Sequence, residues 1–180
     1  MKRISIALSV MVLVFAVAVL AQMSASQPGP DYKKLEVWAG NWSFQGDAKD
    51  SPSGPTYKLD WTWQGRLMPG GFFLEIHGTW NGQSSEDRYL EIIGYDPIKK
   101  TYMGYVFHNS GTLEIYSSTF GDRSCIENGT DQSPDGKTAK WRHVWKFSPD
   151  WMSVSGICEV ETDGIWWTAF DVKGVKTQAK

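Results

Sequence analysis

The chain contains little cysteine and little histidine, and it has no excess of basic residues. Its two cysteines have no histidine close by in the sequence, which makes them a poor zinc site. The 18 basic residues are balanced by 20 acidic ones, and this balance excludes the basic surface that is typical of nucleic-acid-binding proteins. We therefore predict no bound metal, no cofactor and no nucleic-acid partner.

The sequence also lacks the short motifs that mark several large classes of enzyme. It contains no Gly-x-Ser-x-Gly turn, no glycine-rich phosphate loop and no His-Glu-x-x-His helix. These absences favour a binding protein over an enzyme. A reaction carried by scattered side chains stays an open alternative.

The first 21 residues have the pattern of a secretory signal peptide. Lys2 and Arg3 precede an apolar run from Ile4 to Ala21 that only two serines interrupt. Val19-Leu20-Ala21 fits the small-residue rule for cleavage before Gln22, and Ser24-Ala25-Ser26 offers a second possible site. A polar, proline-containing stretch follows the apolar run directly. An uncleaved membrane anchor is the alternative. We predict an exported protein, periplasmic or secreted, without a stable membrane anchor after cleavage.

The mature chain is mildly acidic and suits one domain. Cleavage removes two of the 18 basic residues and leaves 16 against 20 acidic ones, a net charge of −4. Residues 22–30 predict a flexible lead, and 31–180 predict a single domain. Export places Cys125 and Cys158 in an oxidising compartment, which favours a disulfide between them. Two buried free thiols are the alternative.

A helix is predicted only near the N-terminus of the mature chain. Asp31 to Ala39 predicts one short helix with Asp31 as its N-cap. After it, runs rich in aromatic and β-branched residues alternate with turn residues about every ten positions, which is typical of all-β proteins. We predict ten strands, at 41–48, 56–66, 72–80, 86–95, 101–108, 112–119, 122–129, 138–147, 151–160 and 164–172.

The short connections predict how these strands pair. Neighbours in sequence that are joined by tight turns pair as antiparallel hairpins. About ten such strands leave long exposed edges unless the sheet closes on itself. We therefore predict an up-and-down β-barrel, which at this size holds one small ligand. An immunoglobulin-like sandwich is the alternative, but it needs long crossovers that the sequence does not offer.

Three stretches of the chain resemble known families of β-barrels. Residues 35–42, Leu-Glu-Val-Trp-Ala-Gly-Asn-Trp, resemble the short helix and Gly-x-Trp entry of calycin barrels. Gly-Arg-Leu-Met-Pro-Gly-Gly-Phe-Phe-Leu at 65–74 and Ile-Gly-Tyr-Asp-Pro-Ile-Lys-Lys-Thr-Tyr at 93–102 are similar to the domain of unknown function 1579 family. The resemblance covers 31–172. It implies a calycin-like, lipocalin-like barrel and no established activity.

The calycins also include haem-binding nitrobindins, which carry a Gly-x-Trp-x-Gly-x-Gly signature. The matching stretch here is Gly-Asn-Trp-Ser-Phe-Gln-Gly at 40–46, in which Phe44 replaces the middle glycine. The late histidine that such proteins use as a haem ligand has no match, because no histidine follows His143. Both departures speak against a nitrobindin-like haem protein, which stays a lesser alternative.

The segment 140–147 alternates between an aromatic face and a mostly basic face. Trp141, His143 and Trp145 share the aromatic face, and Trp61 and Trp63 share one face of an earlier strand. These side chains form either a packed core or the wall of a cavity. The number of bulky indoles, each with an N–H that needs a partner, favours the cavity.

We predict that this cavity binds a small hydrophobic or aromatic molecule. The predicted ligand-binding residues comprise four tryptophans as walls and two polar anchors: Trp61, Trp63, Trp141, Trp145, His143 and Tyr102. Glu91 is a candidate inward carboxylate with a raised pKa, or else a solvated one. A Glu91–His143 pair would make the protein a barrel hydrolase, isomerase or lyase. His77 is predicted to face outward, and His108 to lie near the barrel rim.

Overall fold

A computed structural model describes residues 27–82 and 86–177. The predicted signal peptide, 1–21, and its cleavage site lie outside the described residues, as do positions 22–26 of the predicted lead. No helix within the described ranges is long and apolar enough to cross a membrane.

The ten predicted strands are all present, with ends shifted by a few residues. Their bounds are β1 Gly40–Ala48, β2 Tyr57–Leu67, β3 Phe73–Asn81, β4 Glu86–Asp96, β5 Thr101–His108, β6 Leu113–Phe120, β7 Ser124–Gln132, β8 Thr138–Phe147, β9 Ser153–Thr162 and β10 Ile165–Thr177. Burial alternates along most of them, as β2 illustrates: Leu59, Trp61 and Trp63 are buried, whereas the residues between them are exposed.

The sheet closes into an antiparallel up-and-down barrel. Each strand pairs with its neighbour in sequence, and β1 pairs with β10 from Asn41 opposite Thr177 to Ala48 opposite Phe170. The predicted barrel is thereby confirmed, and the sandwich is excluded. β10 runs five residues past its predicted end at 172, because closure gives the last residues a partner strand that the local sequence cannot reveal.

The N-terminal segment differs from the single helix that the sequence predicts. An α-helix, α1, spans Pro30–Lys33, and a 3-10 helix follows at Lys34–Trp38. The N-cap is Gly29 and not Asp31, and no side chain caps the helix. Pro30 explains the shift, since its fixed φ suits the first helical position.

The 3-10 helix closes one end of the barrel with an indole. Trp38 is buried, and its ring centroid lies 5.4 Å from that of Trp63, 5.5 Å from that of Trp145 and 4.7 Å from that of Phe147. Because β1 begins directly after this helix, the starts of odd-numbered strands lie at the closed end. The opposite end, where β5 and β7 finish and β6 begins, is called the mouth below.

Glycines on neighbouring strands allow several aromatic rings to lie flat against the barrel wall. Trp141 lies opposite Gly129, and a Cβ there would be 2.4 Å from the indole. Trp145 lies opposite Gly156, where a Cβ would be 2.0 Å from the ring. The same arrangement joins Tyr89 to Gly78, Tyr116 to Gly104 and Phe44 to Gly174. Rings held in this way occupy less of the barrel centre.

Candidate functional site

The barrel contains a cavity of about 200 Å³. Its aromatic lining comprises Trp38, Trp61, Trp63, Trp80, Tyr89, Tyr116, Trp141, Trp145 and Phe170. Its ionisable lining comprises Asp87, Glu91, Glu114, Glu127, Asp131, His108, His143 and Cys158. A cavity with apolar walls and a few converging polar groups is the usual form of a small-molecule site.

The structure brings five of the six predicted ligand-binding residues to this cavity. Trp61, Trp63, Trp141, His143 and Trp145 all line it. The sixth, Tyr102, does not. Its hydroxyl donates a hydrogen bond of 2.8 Å to the backbone oxygen of residue 31, so it fastens the N-terminal segment to the closed end of the barrel.

Glu127 is the carboxylate partner of His143. The Nδ1 atom of His143 lies 3.1 Å from Glu127 Oε2, and the indole N–H of Trp145 donates to the same oxygen at 2.9 Å. Burial lowers the pKa of His143, but Cys158 and the Glu127 carboxylate oppose this effect and raise the pKa well above its ordinary value. Glu127 therefore fixes the position of the imidazole ring and favours its charged form.

The sequence reasoning missed Glu127, although a signal was present. Glu127 shares strand parity with Cys125, and it lies directly opposite His143 in the pairing of β7 with β8. A hydrophobic cysteine at one inward position predicts that the second residue along also points inward. Identifying the cross-strand partner required the register, which the sequence does not supply.

Glu91 lies inside the barrel, but its hydrogen-bond partner is Tyr116 and not His143. The Tyr116 hydroxyl donates to Glu91 Oε1. Burial raises the pKa of Glu91 to about 8, although the hydrogen bond from Tyr116 acts in the opposite direction. The hypothesised Glu91–His143 pair is therefore corrected: His143 is bonded to Glu127, and Glu91 is a largely protonated acid near neutral pH.

A third cluster of ionisable side chains lies at the mouth of the barrel. His108 bonds Asp87 Oδ2 through Nδ1 and lies 2.7 Å from Glu114 Oε1 through Nε2. Burial lowers the pKa of His108, but Glu114 and Asp87 outweigh it and raise the pKa to about 9. The Asp87 and Glu114 side chains are 30% and 21% exposed, against 9% for Glu127. This gradient indicates that solvent reaches the cavity from the mouth.

Several buried polar atoms of the lining have no hydrogen-bond partner among the described residues. These are Asp87 Oδ1, Asp131 Oδ1 and the indole nitrogens of Trp63 and Trp141. Burial and the neighbouring Glu114 raise the pKa of Asp131 to about 6. Buried polar groups in folded proteins are nearly always paired, so unpaired ones facing a cavity indicate a missing partner.

The disulfide favoured by an exported location is not formed. Cys125 and Cys158 are both buried and free. Cys125 lies opposite Trp145 and Cys158 lies opposite His143, so all of β8 stands between them. Two strand spacings amount to roughly 9–10 Å, which exceeds the Cα separation that a disulfide can span. Burial raises the pKa of the Cys125 thiol well above its ordinary value, which leaves it unreactive.

The outer surface carries ordinary charged pairs. His77 is exposed and lies 2.8 Å from Glu75, while Arg142 pairs with Glu159 at 2.5 Å across β8 and β9. Pairs of this kind contribute little to stability. Within the described ranges, no group of three or more His, Cys, Asp or Glu side chains is arranged to hold a metal ion.

Comparisons with known proteins place the chain by family and by fold. Residues 27–174 match the family described as "Protein of unknown function (DUF1579)". The fold is similar to the crystal structure of Rv2717c from M. tuberculosis, with a TM-score of 0.61 over 83% of this chain and 99% of that chain. The two sequences are 12% identical, so this likeness shows the fold alone. No curated protein matches the sequence.

Proposed function

The chain belongs to the DUF1579 family of proteins of unknown function, and we propose that it binds one small aromatic or apolar molecule inside its barrel. The observation that supports the proposal is the cavity of about 200 Å³, whose walls carry unpaired polar atoms. A packed core would fill this space, because protein interiors reach the density of organic crystals. Here Gly129 and Gly156 instead let two indoles lie back against the wall.

The size of the cavity limits the ligand. Engineered cavities of about 150 Å³ accept benzene, whereas pockets for drug-sized ligands run from about 300 to 1,000 Å³. A space of about 200 Å³ therefore suits a molecule with one or two rings. The same volume speaks against a tetrapyrrole such as haem.

A cavity-filling variant tests the proposal. We expect 2-phenylethanol to bind saturably and at one site, as measured by saturation-transfer NMR on the ligand and by quenching of tryptophan fluorescence. Val160→Phe should abolish the binding, because Val160 lines the cavity. Ile157→Phe on the same strand is the matched control, since Ile157 is exposed on the outer face. Binding that survives Val160→Phe would show that the ligand lies elsewhere.

We also propose that the protein is exported. The support is the sequence of the first 21 residues, with a basic start, an apolar run and a small-residue cleavage site. Intact mass measurement on protein from a periplasmic or culture fraction should give a chain that begins at Gln22. Recovery of the full-length chain from the membrane fraction would instead support an uncleaved anchor.

A barrel enzyme is a second candidate, and Glu91 is the observation that favours it. Its pKa of about 8 lies close to physiological pH, as suits a general acid or base, and it lines the same cavity. Native mass spectrometry of protein purified from its own host identifies a retained ligand. Conversion of that ligand by the wild type and not by Glu91→Gln would support an enzyme, and recovery of unchanged ligand would support a binding protein.

A further inference from the structure

We propose that the ligand is a small organic cation, with an ammonium group held by the carboxylates of the cavity and an aromatic body held by its indoles. This inference rests on the proposed function and specifies the chemical class of its ligand.

The charge of the cavity lining favours a cationic ligand. Five carboxyl groups line the cavity: Asp87, Glu91, Glu114, Glu127 and Asp131. Against them stand only two imidazoles, and no described residue of the lining is Lys or Arg. Glu91 is largely protonated near neutral pH, which leaves four carboxylates against the two imidazoles. An anionic ligand would meet this excess of negative charge at short range, where the low dielectric strengthens repulsion.

The two imidazoles of the lining are already paired with carboxylates. His108 lies between Asp87 and Glu114, and His143 is bonded to Glu127. Neither histidine pairs with Asp131 or Glu91 among the described residues. Two acids of the lining, Asp131 and Glu91, therefore have no basic partner among the described residues.

Unpaired carboxylate oxygens of the lining offer acceptors to an ammonium group. Asp87 Oδ1 is a buried acceptor that receives no donor from the described residues, and Asp131 Oδ1 makes no hydrogen bond of good geometry there, although the indole N–H of Trp141 lies near enough to lower the pKa of Asp131. An ammonium group supplies three N–H donors and a positive charge, and charge-assisted hydrogen bonds are about twice as strong as neutral ones. Trp63 is more than nine-tenths buried, lines the cavity and keeps an unpaired indole N–H, so the site also offers a donor to a ligand acceptor.

Indoles lie beside the carboxylates of the cavity. Trp80 lies directly opposite Asp87 in the pairing of β3 with β4, and both line the cavity. Trp61 is next to Trp80, with ring centroids 5.7 Å apart. Indole faces attract cations more strongly than other aromatic side chains do, especially away from water. A carboxylate beside an indole therefore gives the ammonium both an ion pair and a π-face.

Three ligands of one shape but different charge test the inference. They are 2-phenylethylamine, which is a cation at pH 7, neutral 2-phenylethanol and anionic phenylacetate. Calorimetric titration should show the amine binding at least about tenfold more tightly than the alcohol, and the acid should not bind. Asp131→Asn should remove most of this preference while keeping the shape of the site. Asp171→Asn, on the outer face of β10, is the control and should leave the preference unchanged.

The outcomes separate this inference from the proposed function. If the alcohol or the acid binds as tightly as the amine, the ligand is not selected as a cation, while the binding function stands. If none of the three binds, both proposals fail. Asp87→Asn serves as a second variant if Asp131→Asn does not fold, and an amine preference that survives in whichever variant folds would overturn the inference.

Discussion

The packing of Trp141 on Gly129 predicts an unusual response to a very small substitution. A glycine in a strand is normally destabilising relative to alanine by roughly 0.5–1 kcal/mol, so Gly→Ala normally stabilises. At Gly129 the new Cβ would lie 2.4 Å from Cζ2 of Trp141 and 2.8 Å from Cβ of Tyr116. The indole would have to move about 1 Å toward the cavity to reach ordinary contact distance.

We expect Gly129→Ala to lower the free energy of unfolding by about 1–3 kcal/mol, which is the usual cost of overpacking a core. Urea denaturation measures this change from the shift in midpoint at constant slope. Asn128→Ala is the control, because its side chain is exposed on the other face of the same strand, and it should change stability by less than about 0.5 kcal/mol.

A double-mutant cycle identifies the indole as the cause. Trp141→Val leaves room for the new methyl group, so the loss caused by Gly129→Ala should shrink by about 1 kcal/mol or more when it is made in the Trp141→Val background. The same displacement of the indole should weaken the binding of 2-phenylethanol. If Gly129→Ala is as stable as the wild type, the ring does not lie against Gly129, and the cavity is not kept open in the way described above.

Three further predictions concern the ionisable groups of the lining. Glu127→Ala should lower the free energy of unfolding by about 2–4 kcal/mol in urea, because it leaves the His143 imidazole and the Trp145 indole N–H without their buried acceptor. Glu159→Ala, at a half-buried side chain on the outer face, should cost less than about 1 kcal/mol. The pKa of Glu91 rises from 4.5 to about 8 on folding, so the stability that its neutral form contributes is complete below pH 4.5 and is lost as the pH rises toward 8. The melting temperature of Glu91→Gln should therefore increase relative to that of the wild type as the pH is raised from 5 to 8. A difference in melting temperature that does not change with pH would contradict this. The pKa of His108 rises from 6.5 to about 9 on folding, so its contribution to stability is complete below pH 6.5 and disappears as the pH passes 9. The stability lost in His108→Gln should therefore be larger at pH 6 than at pH 10. An equal loss at both pH values would refute the ion pairs with Asp87 and Glu114.

The strands could be predicted because their determinants are local. Alternation along segments such as Tyr57–Leu67 and the turn residues between them depend on neighbours in sequence, and these are enough to indicate ten hairpin-linked strands. Closure followed from the need to protect sheet edges. The end of β10 at Thr177 could not be predicted from the local sequence, because its partner strand β1 lies far away in the chain.

The walls of the site could be predicted, but its charge pattern could not. Strand parity identified Trp141 and Trp145, because inward and outward positions alternate within a single strand. Pairing Glu127 with His143 depends on the register between two strands, and a shift of one residue would have placed a different side chain there. Tyr102 was misplaced because parity tells which face a residue occupies and not how far along the barrel it lies.

A crystal structure of the protein soaked with 2-phenylethylamine tests the central claim most directly. We expect one molecule inside the barrel, with its ring against the indoles of Trp61 and Trp141 and its nitrogen within hydrogen-bond distance of Asp131 or Asp87. A barrel interior filled by side chains, with the amine bound only on the outer surface, would contradict the claim that this protein binds a small molecule in its cavity.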